Sequence, residues 1–117
     1  MQVIHIIGQI IFGGYFTWSG FNHFKNHKML TGYSASMKVP APGVAVFVTG
    51  LLLTLGGLGI LFQIQKDIAL VFIIIFLLPT SFMMHPFWKM TDANMKMSNY
   101  INFSKNMALI GAALLLM

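Results

Sequence analysis

Four long hydrophobic segments alternate with shorter polar ones along the chain. The hydrophobic segments cover approximately residues 3–24, 43–63, 68–88 and 98–117. A helix needs about 20 residues to cross the hydrocarbon core of a bilayer, and each segment approaches that length. The pattern therefore predicts four transmembrane helices, with the chain running in alternating directions through the membrane.

The fourth segment reaches this length only if it begins in polar sequence. Its purely hydrophobic part, residues 107–117, is 11 residues long, and as a helix it would span about 16 Å of a core about 30 Å thick. A spanning helix must therefore begin near Ser98. That start brings Asn102, Lys105 and Asn106 to the membrane edge or inside it.

The longest polar stretch, residues 25–42, separates the first two segments. Leu30, Tyr33 and Met37 recur there at helical spacing, which predicts a short interfacial or re-entrant helix that ends before Pro40. The first segment has no basic residue before it and no small-residue cleavage site after it, so we expect a retained helix. Pro79, inside the third segment, should kink that helix.

Composition supports the same fold class. Hydrophobic residues make up 57% of the 117 residues and charged residues only 8%, whereas about 25% are charged in a typical soluble domain. We therefore expect an all-α fold: an integral membrane four-helix bundle forming a single domain, residues 1–117.

Charge and cysteine content exclude several functions. The chain has no cysteine, which removes thiolate metal sites and covalent haem attachment. All seven basic residues are lysines, and without arginine or a soluble surface we expect no nucleic-acid binding. The lysines instead fit an anionic lipid surface, so the expected partner is the lipid bilayer.

The lysines also predict the orientation. Lys66 lies between the second and third segments, and the other six lie in or beside the two longer connections, at positions 25, 28, 38, 89, 96 and 105. Cytoplasmic loops carry an excess of lysine. The pattern predicts a multi-pass protein with both long connections in the cytoplasm and both termini outside.

Alternating direction brings three helix ends together on one membrane face. Polar and ionisable groups inside a membrane usually face the bundle interior and mark a site. The residues predicted to form one ligand-binding pocket there are Ser19, His23, His85, Trp88, Asn102, Lys105 and Asn106. Tyr33 and Lys38 could cover it as a lid, and His85 is the candidate catalytic residue, as a proton carrier.

Each of these residues also has an ordinary structural explanation. Trp88 could belong to an aromatic belt at the membrane surface. Lys105 could extend its ammonium group to the lipid head groups. His23 and His85 could each be a helix-end residue hydrogen-bonded to a carbonyl group.

Metal and carboxylate chemistry are less favoured. His23 and His27 are four residues apart, but no carboxylate or thiolate lies within that stretch, so we predict no metal site. Haem held by two histidines and copper held by methionines are also disfavoured as cofactors. Asp67 and Asp92, the two acids, lie on opposite faces, which excludes paired-carboxylate hydrolysis. The remaining polar side chains are those of histidine, lysine, tyrosine and asparagine. They could bind a polar head such as a quinone ring or a lipid.

Five stretches together resemble the DoxX family of small prokaryotic membrane proteins. They are GGYFTWSGFNHF (13–24), TGYSASMKVPAP (31–42), TGLLLTLGGLGILF (49–62), FLLPTSFMMHPFW (76–88) and NFSKNMALIGAALLL (102–116). The resemblance implies a four-helix bundle in the prokaryotic inner membrane. The family name comes from similarity to a membrane subunit of a thiosulfate:quinone oxidoreductase, and some relatives are implicated in membrane-bound redox complexes.

The chain departs from this family pattern at two positions. Many members carry a glutamate where this chain has Leu53, and many carry a lysine where it has His23. The first difference removes a buried acid, so a mechanism that uses that acid cannot be carried over.

Three functions follow as hypotheses. The first is an adaptor or subunit of a membrane redox complex, not catalytic on its own, with a quinone-binding pocket and a soluble oxidoreductase docked on the lysine-rich connections. The second is a small membrane enzyme or transporter that uses His85 to carry protons. The third is a structural or assembly factor without a ligand. In each case the chain could form homo-oligomers.

Overall fold

The computed structural model describes residues 2–117, and this part of the chain is helical with short connections. The α-helices are α1 (Gln2–Lys25), α2 (His27–Ser36), α3 (Pro42–Phe62), α4 (Lys66–Met84) and α5 (Ala93–Leu116), with a 3-10 helix at Phe87–Lys89. The all-α class predicted from the sequence is confirmed. The short helix α2 occupies the polar stretch between the first two hydrophobic segments.

Two of the helical segments in the described chain are long and hydrophobic enough to cross a membrane. They are Pro42–Phe62, which is α3, and Lys66–Lys89, which is α4 with the 3-10 helix, and each has a mean hydropathy of 2.3. Helices α1 and α5 are each 24 residues long, or about 36 Å at 1.5 Å per residue. Both carry more polar residues than α3 and α4.

The outer surface of the helices is more hydrophobic than that of a soluble protein. Large hydrophobic side chains are exposed along all four long helices, for example Ile11, Phe47, Ile75 and Leu115, whereas the buried set includes polar residues. Extensive exposed hydrophobic surface marks contact with lipid or with another protein. This distribution fits a chain surrounded by lipid.

Two helix ends differ from the sequence-based boundaries, and each has a local cause. Helix α4 ends at Met84 and not at residue 88, because Pro86 disfavours helical geometry at the preceding residue. Helix α5 begins at Ala93, five residues before the predicted start, because the Asp92 side chain accepts a hydrogen bond from the Met95 backbone N–H at 3.2 Å. This is an N-cap, which satisfies a free amide at the helix start.

The helices pack in a simple order. Helix α1 packs on α3, α3 on α4, α4 on α5, and α2 lies against α3. Leu53, Leu70 and Ile73 are fully buried in the central cluster. Lys25, Lys28, Lys38, Lys89 and Lys96 lie in or beside the connections at one end of the molecule, which we call the lysine-rich end.

The contact between α1 and α3 is unusually close. Residues 13–20 and 50–57 share the pattern Gly-x-x-x-Thr-x-x-Gly, and the two copies face each other in antiparallel helices. Thr17 lies against Gly57, and Thr54 lies against Gly20. The repeat is visible in the sequence, but only the antiparallel pairing shows that each threonine is accommodated by the other helix's glycine. Small residues allow this close approach of helices within lipid.

Candidate functional site

A cavity of about 350 Å³ opens near the lysine-rich end, between α2, α3, α4 and the end of α1. Its volume is in the range of small-molecule sites, about 300–1,000 Å³. Most of the wall is hydrocarbon, contributed by side chains such as Val46, Phe76 and Met83. The polar or ionisable residues that line it are His23, Tyr33, Ser34, Thr49, Thr80 and His85.

His23 is fixed in one orientation by its own helix. Its Nδ1 lies 2.8 Å from the Ser19 carbonyl oxygen, and its ring meets the Phe76 ring edge to face at 5.6 Å. A carbonyl oxygen can only accept, so Nδ1 carries the hydrogen and donates it. In the neutral ring, Nε2 is left with its lone pair and acts as a hydrogen-bond acceptor.

His85 reaches the same protonation pattern through a different partner. Its Nδ1 lies 2.9 Å from Asn99 Oδ1, while Asn99 Nδ2 donates to the Met95 carbonyl oxygen at 2.9 Å. The amide nitrogen of Asn99 is therefore the donor to Met95, and Asn99 Oδ1 accepts the hydrogen bond from His85 Nδ1. The neutral His85 ring also keeps Nε2 as an acceptor. Within residues 2–117 neither Nε2 has a hydrogen-bond partner.

Asn99 is the site residue that the sequence-based prediction omitted. It is only 7% exposed and lies on the buried stripe of α5, seven residues before Asn106 and fourteen before Ala113. Because the predicted helix began near residue 98, Asn99 was placed at its end and not in its buried face. The seven-residue spacing of two asparagines and an alanine was the available signal.

The structure brings some of the predicted pocket residues together. His23 and His85 line one cavity, and Ser19 contributes its backbone carbonyl to holding His23. Tyr33, predicted as part of a lid, also lines this cavity. Lys38 does not line it and lies just after α2, with a positive φ of 63°.

Other predicted residues lie elsewhere around α5. Trp88 lies in an aromatic cluster with Phe82, Phe87 and Phe103, at centroid distances of 5.2–5.9 Å, and it does not line the cavity. The remaining asparagines also lie outside the cavity wall: Asn102 is half-buried and Asn106 is buried on α5.

Lys105 belongs to a second cavity, of about 380 Å³, between α1 and α5. Its Nζ donates to the Tyr15 hydroxyl oxygen at 3.3 Å and lies 5.9 Å from the centre of that ring. Of the residues that the sequence predicts for a single pocket, two histidines line the first cavity, Lys105 lines the second, and the others line neither.

His27 links two helices and does not line the cavity. Its Nε2 lies 3.0 Å from the Gly43 carbonyl oxygen, and its Nδ1 lies 3.5 Å from the Thr31 hydroxyl, so it ties α2 to the start of α3. Within the part of the chain that the structure describes, no three histidine or carboxylate side chains form a group able to hold a metal ion.

The chemistry of the first cavity follows from its walls and its two acceptors. Hydrocarbon walls accept a flat ring, and two neutral imidazoles offer lone pairs to hydroxyl or N–H donors on that ring. The Thr49 hydroxyl donates to the Ala45 carbonyl oxygen at 2.7 Å, so toward a ligand its oxygen is also an acceptor. The two imidazoles thus match a ligand that donates hydrogen bonds, and the hydroxyl groups of Tyr33, Ser34 and Thr80 in the same wall can also donate to a ligand oxygen.

Comparison with known proteins identifies one family. The model of the DoxX family matches residues 5–86, from the first turn of α1 to Pro86. Neither the curated proteins nor the solved structures contain a match to this chain. Asn99, the partner of His85, lies in α5, beyond the matched residues.

Proposed function

The chain belongs to the DoxX family, and from that premise we propose that it is a four-span protein of the prokaryotic inner membrane that binds a hydroquinone. The hydroquinone would occupy the cavity beside His23 and His85. The protein would act as a subunit or adaptor of a membrane-associated redox complex.

Family membership and the two hydrophobic helices α3 and α4 identify a membrane protein. The proposal adds α1 and α5 as the other two spans. Support comes from their length of about 36 Å, which exceeds the roughly 30 Å of a hydrocarbon core, and from their exposed hydrophobic side chains. The positive-inside rule then assigns the lysine-rich end to the cytoplasm and both termini to the outside.

The observation that carries the ligand proposal is the pair of fixed imidazoles in one apolar cavity. A quinone has carbonyl oxygens, which only accept hydrogen bonds, whereas its reduced form has two hydroxyl groups that donate. Two Nε2 acceptors therefore favour the hydroquinone over the quinone. The ring itself would pack against Val46, Phe76 and Met83.

The same arrangement supplies a route for protons. Oxidation of a hydroquinone to a quinone releases two protons and two electrons. The Nε2 atoms of His23 and His85 can accept the two hydroxyl protons, because each neutral ring keeps a lone pair on that nitrogen. The electrons would pass to a soluble oxidoreductase docked on the lysine-rich end. Leu53 is fully buried where many family members carry a glutamate, so the imidazoles are the proton acceptors available to this chain.

Ligand binding to the protein in lipid nanodiscs tests the proposal. A short-chain naphthohydroquinone would be titrated under anaerobic conditions, and its oxidised quinone would be titrated separately. We expect the hydroquinone to bind at least tenfold more tightly. His85→Phe and His23→Phe should each weaken hydroquinone binding about tenfold, because one hydrogen bond contributes about 0.5–1.5 kcal/mol and a tenfold change is about 1.4 kcal/mol.

A third histidine provides the matched control. His5 is exposed near the opposite end of α1, and His5→Phe should leave binding unchanged. Equal affinity for the two redox forms, or equal loss in all three variants, would exclude the assigned roles of His23 and His85. Absence of binding in the wild-type protein would favour the assembly-factor hypothesis.

A further inference from the structure

The second cavity is a groove on the outside of the molecule, which we call the α1–α5 groove. Helices α1 and α5 pack mainly on α3 and α4 and not on each other, so the space between them stays open. Side chains such as Ile11, Phe12 and Leu109 give it a hydrocarbon lining, which only the Lys105 ammonium and the Tyr15 hydroxyl interrupt. The groove thus has a helix on each side and a single cation in its wall.

The groove lies in the half of the molecule opposite the lysine-rich end. Gly13 and Thr17 flank Tyr15 along α1, and they lie against Leu61 and Gly57 in the last two turns of α3. The lysine-rich end is at the start of α3. The polar pair in the groove is therefore separated from the head groups of the lysine-rich leaflet.

Lys105 has no anionic partner within residues 2–117. Its Nζ donates to the Tyr15 hydroxyl oxygen, and the two acids of the chain lie at helix starts, Asp67 in the first turn of α4 and Asp92 at the N-cap of α5. Lys105 is twelve residues from the start of α5, or about 18 Å, so its side chain does not reach that membrane surface. A cation inside a membrane segment is costly unless it is paired, and a carboxylate brought to this depth would be stabilised.

The rest of the groove is apolar and runs toward the other membrane surface. From Tyr15 it continues along α1 to Gly8, seven residues or about 10 Å away. The next residue, Gln9, donates to the Leu61 carbonyl oxygen at 2.6 Å and accepts from Gln63 Nε2 at 2.7 Å, so this end of the groove is level with the polar turn after α3. A phospholipid has its polar head at the surface and its acyl chains inside. The groove has the reverse order, with its charge at the inner end, so a phospholipid does not match it.

The first turns of α1 extend the apolar surface beyond that level. All residues from 2 to 8 are exposed, and Val3, Ile4 and Ile7 are each more than half exposed. Acyl chains stay within the hydrocarbon core, whereas a helix can follow α1 across the membrane surface. A Cβ added at Gly8 would meet no atom within 4 Å, and small residues let helices approach closely in lipid. The occupant that matches the whole surface is a helix.

From the unpaired cation, the order of polar and apolar groups and the length of the apolar surface, we propose that the α1–α5 groove binds a transmembrane helix of another membrane protein. That helix carries an aspartate or glutamate at the depth of Lys105. Its carboxylate forms an ion pair with Lys105 Nζ, and the Tyr15 hydroxyl, which accepts from Lys105, donates its own hydrogen to the same carboxylate. Hydrophobic side chains of the partner pack against Ile11, Phe12 and Leu109.

The partner is a different protein and not a second copy of this chain. Asp67 and Asp92 lie at helix starts on opposite sides of the membrane, so a second copy in the same orientation brings neither carboxylate to the depth of Lys105. The groove is also separate from the cavity of His23 and His85. Binding of the partner helix therefore does not depend on the hydroquinone proposal.

Synthetic transmembrane peptides of defined sequence test this site. Each is a leucine- and alanine-rich helix of about 20 residues, with glutamate at its centre in one peptide and glutamine in the matched peptide. Binding to the whole protein is measured by Förster transfer in phosphatidylcholine vesicles. We expect the glutamate peptide to bind at least fivefold more tightly than the glutamine peptide. Lys105→Gln should abolish this preference, and Lys105→Arg should keep it.

Two further variants separate the groove from other surfaces of the same half. Lys66→Gln removes a lysine at the start of α4, outside the groove, and it should leave both affinities within twofold of wild type. Gly8→Leu fills the apolar end without touching the charge, and it should weaken both peptides by the same factor. Thermal unfolding of each variant confirms that it is folded.

Four results would overturn the proposal. One is equal binding of the two peptides to the wild-type protein. Another is a glutamate preference that Lys105→Gln and Lys66→Gln reduce equally, which would assign the effect to the overall charge. A third is loss of glutamate-peptide binding when phosphatidylglycerol is added to the vesicles, which would assign Lys105 to a lipid phosphate. The last is a dimer of the peptide-free protein that Gly8→Leu disrupts, which would assign the groove to a second copy of the chain.

Discussion

Replacing Gly20 by alanine is expected to destabilise the fold, because Gly20 lies in the close contact between α1 and α3. The added Cβ would lie 2.5 Å from the Thr54 backbone nitrogen and 2.8 Å from the Gly50 carbonyl oxygen, and the first distance is about 0.9 Å short of the 3.4 Å at which ordinary contact begins. Both atoms belong to the backbone of α3 and cannot move alone. The two helices must therefore separate.

The size of the effect follows from two opposing contributions. Overpacking a well-packed contact costs about 1–3 kcal/mol, and a clash between two backbones puts Gly20 near the upper end of that range. Alanine has a higher helix propensity than glycine, which returns up to about 1 kcal/mol. We expect Gly20→Ala to lower the free energy of unfolding by about 2 kcal/mol, measured by titration from a mild detergent into sodium dodecyl sulfate.

Gly14 provides the matched control on the same helix. A Cβ at Gly14 would meet nothing within 4 Å, so Gly14→Ala should be neutral or stabilising by up to about 1 kcal/mol. The reasoning is refuted if Gly20→Ala is as stable as wild type, or if both variants lose the same free energy. The second result would show that alanine is tolerated poorly anywhere in α1.

Two further predictions concern polar groups. Thr54 Oγ1 is buried without a hydrogen-bond partner in the described chain, whereas the Thr17 hydroxyl donates to the Gly13 carbonyl oxygen at 2.8 Å. Thr54→Val should therefore be neutral or stabilising by about 1 kcal/mol, and Thr17→Val should cost about 0.5–1.5 kcal/mol in the same titration. A larger loss of stability in Thr54→Val than in Thr17→Val would contradict this reasoning. For the cap of α5, Asp92→Ala should cost about 0.5–2 kcal/mol while Asp92→Asn should retain most of the stability, since asparagine caps equally well. Circular dichroism during unfolding measures both, and equal losses in the two variants would show that the charge matters and not the cap.

The sequence determined the features that depend on composition and period. Hydrophobic segments of membrane length, a charged fraction of 8% and the absence of arginine are properties of the chain alone, and they identified the helical class and the membrane character. The family resemblance needed only the order of five short motifs. His23 and His85 could also be selected from the sequence, because ionisable residues near hydrophobic segments are rare.

Only the tertiary structure decided which polar residues meet. Rotation of a helix about its axis changes the neighbour of each side chain, and it is set by packing of the whole interface, which no single segment encodes. Helix α5 thus turns Asn99 toward His85 and Lys105 toward Tyr15, so Lys105 does not join the cavity of the two histidines. In the same way, the threonines of α1 and α3 have similar sequence surroundings, but only Thr54 is left without a hydrogen-bond partner within residues 2–117.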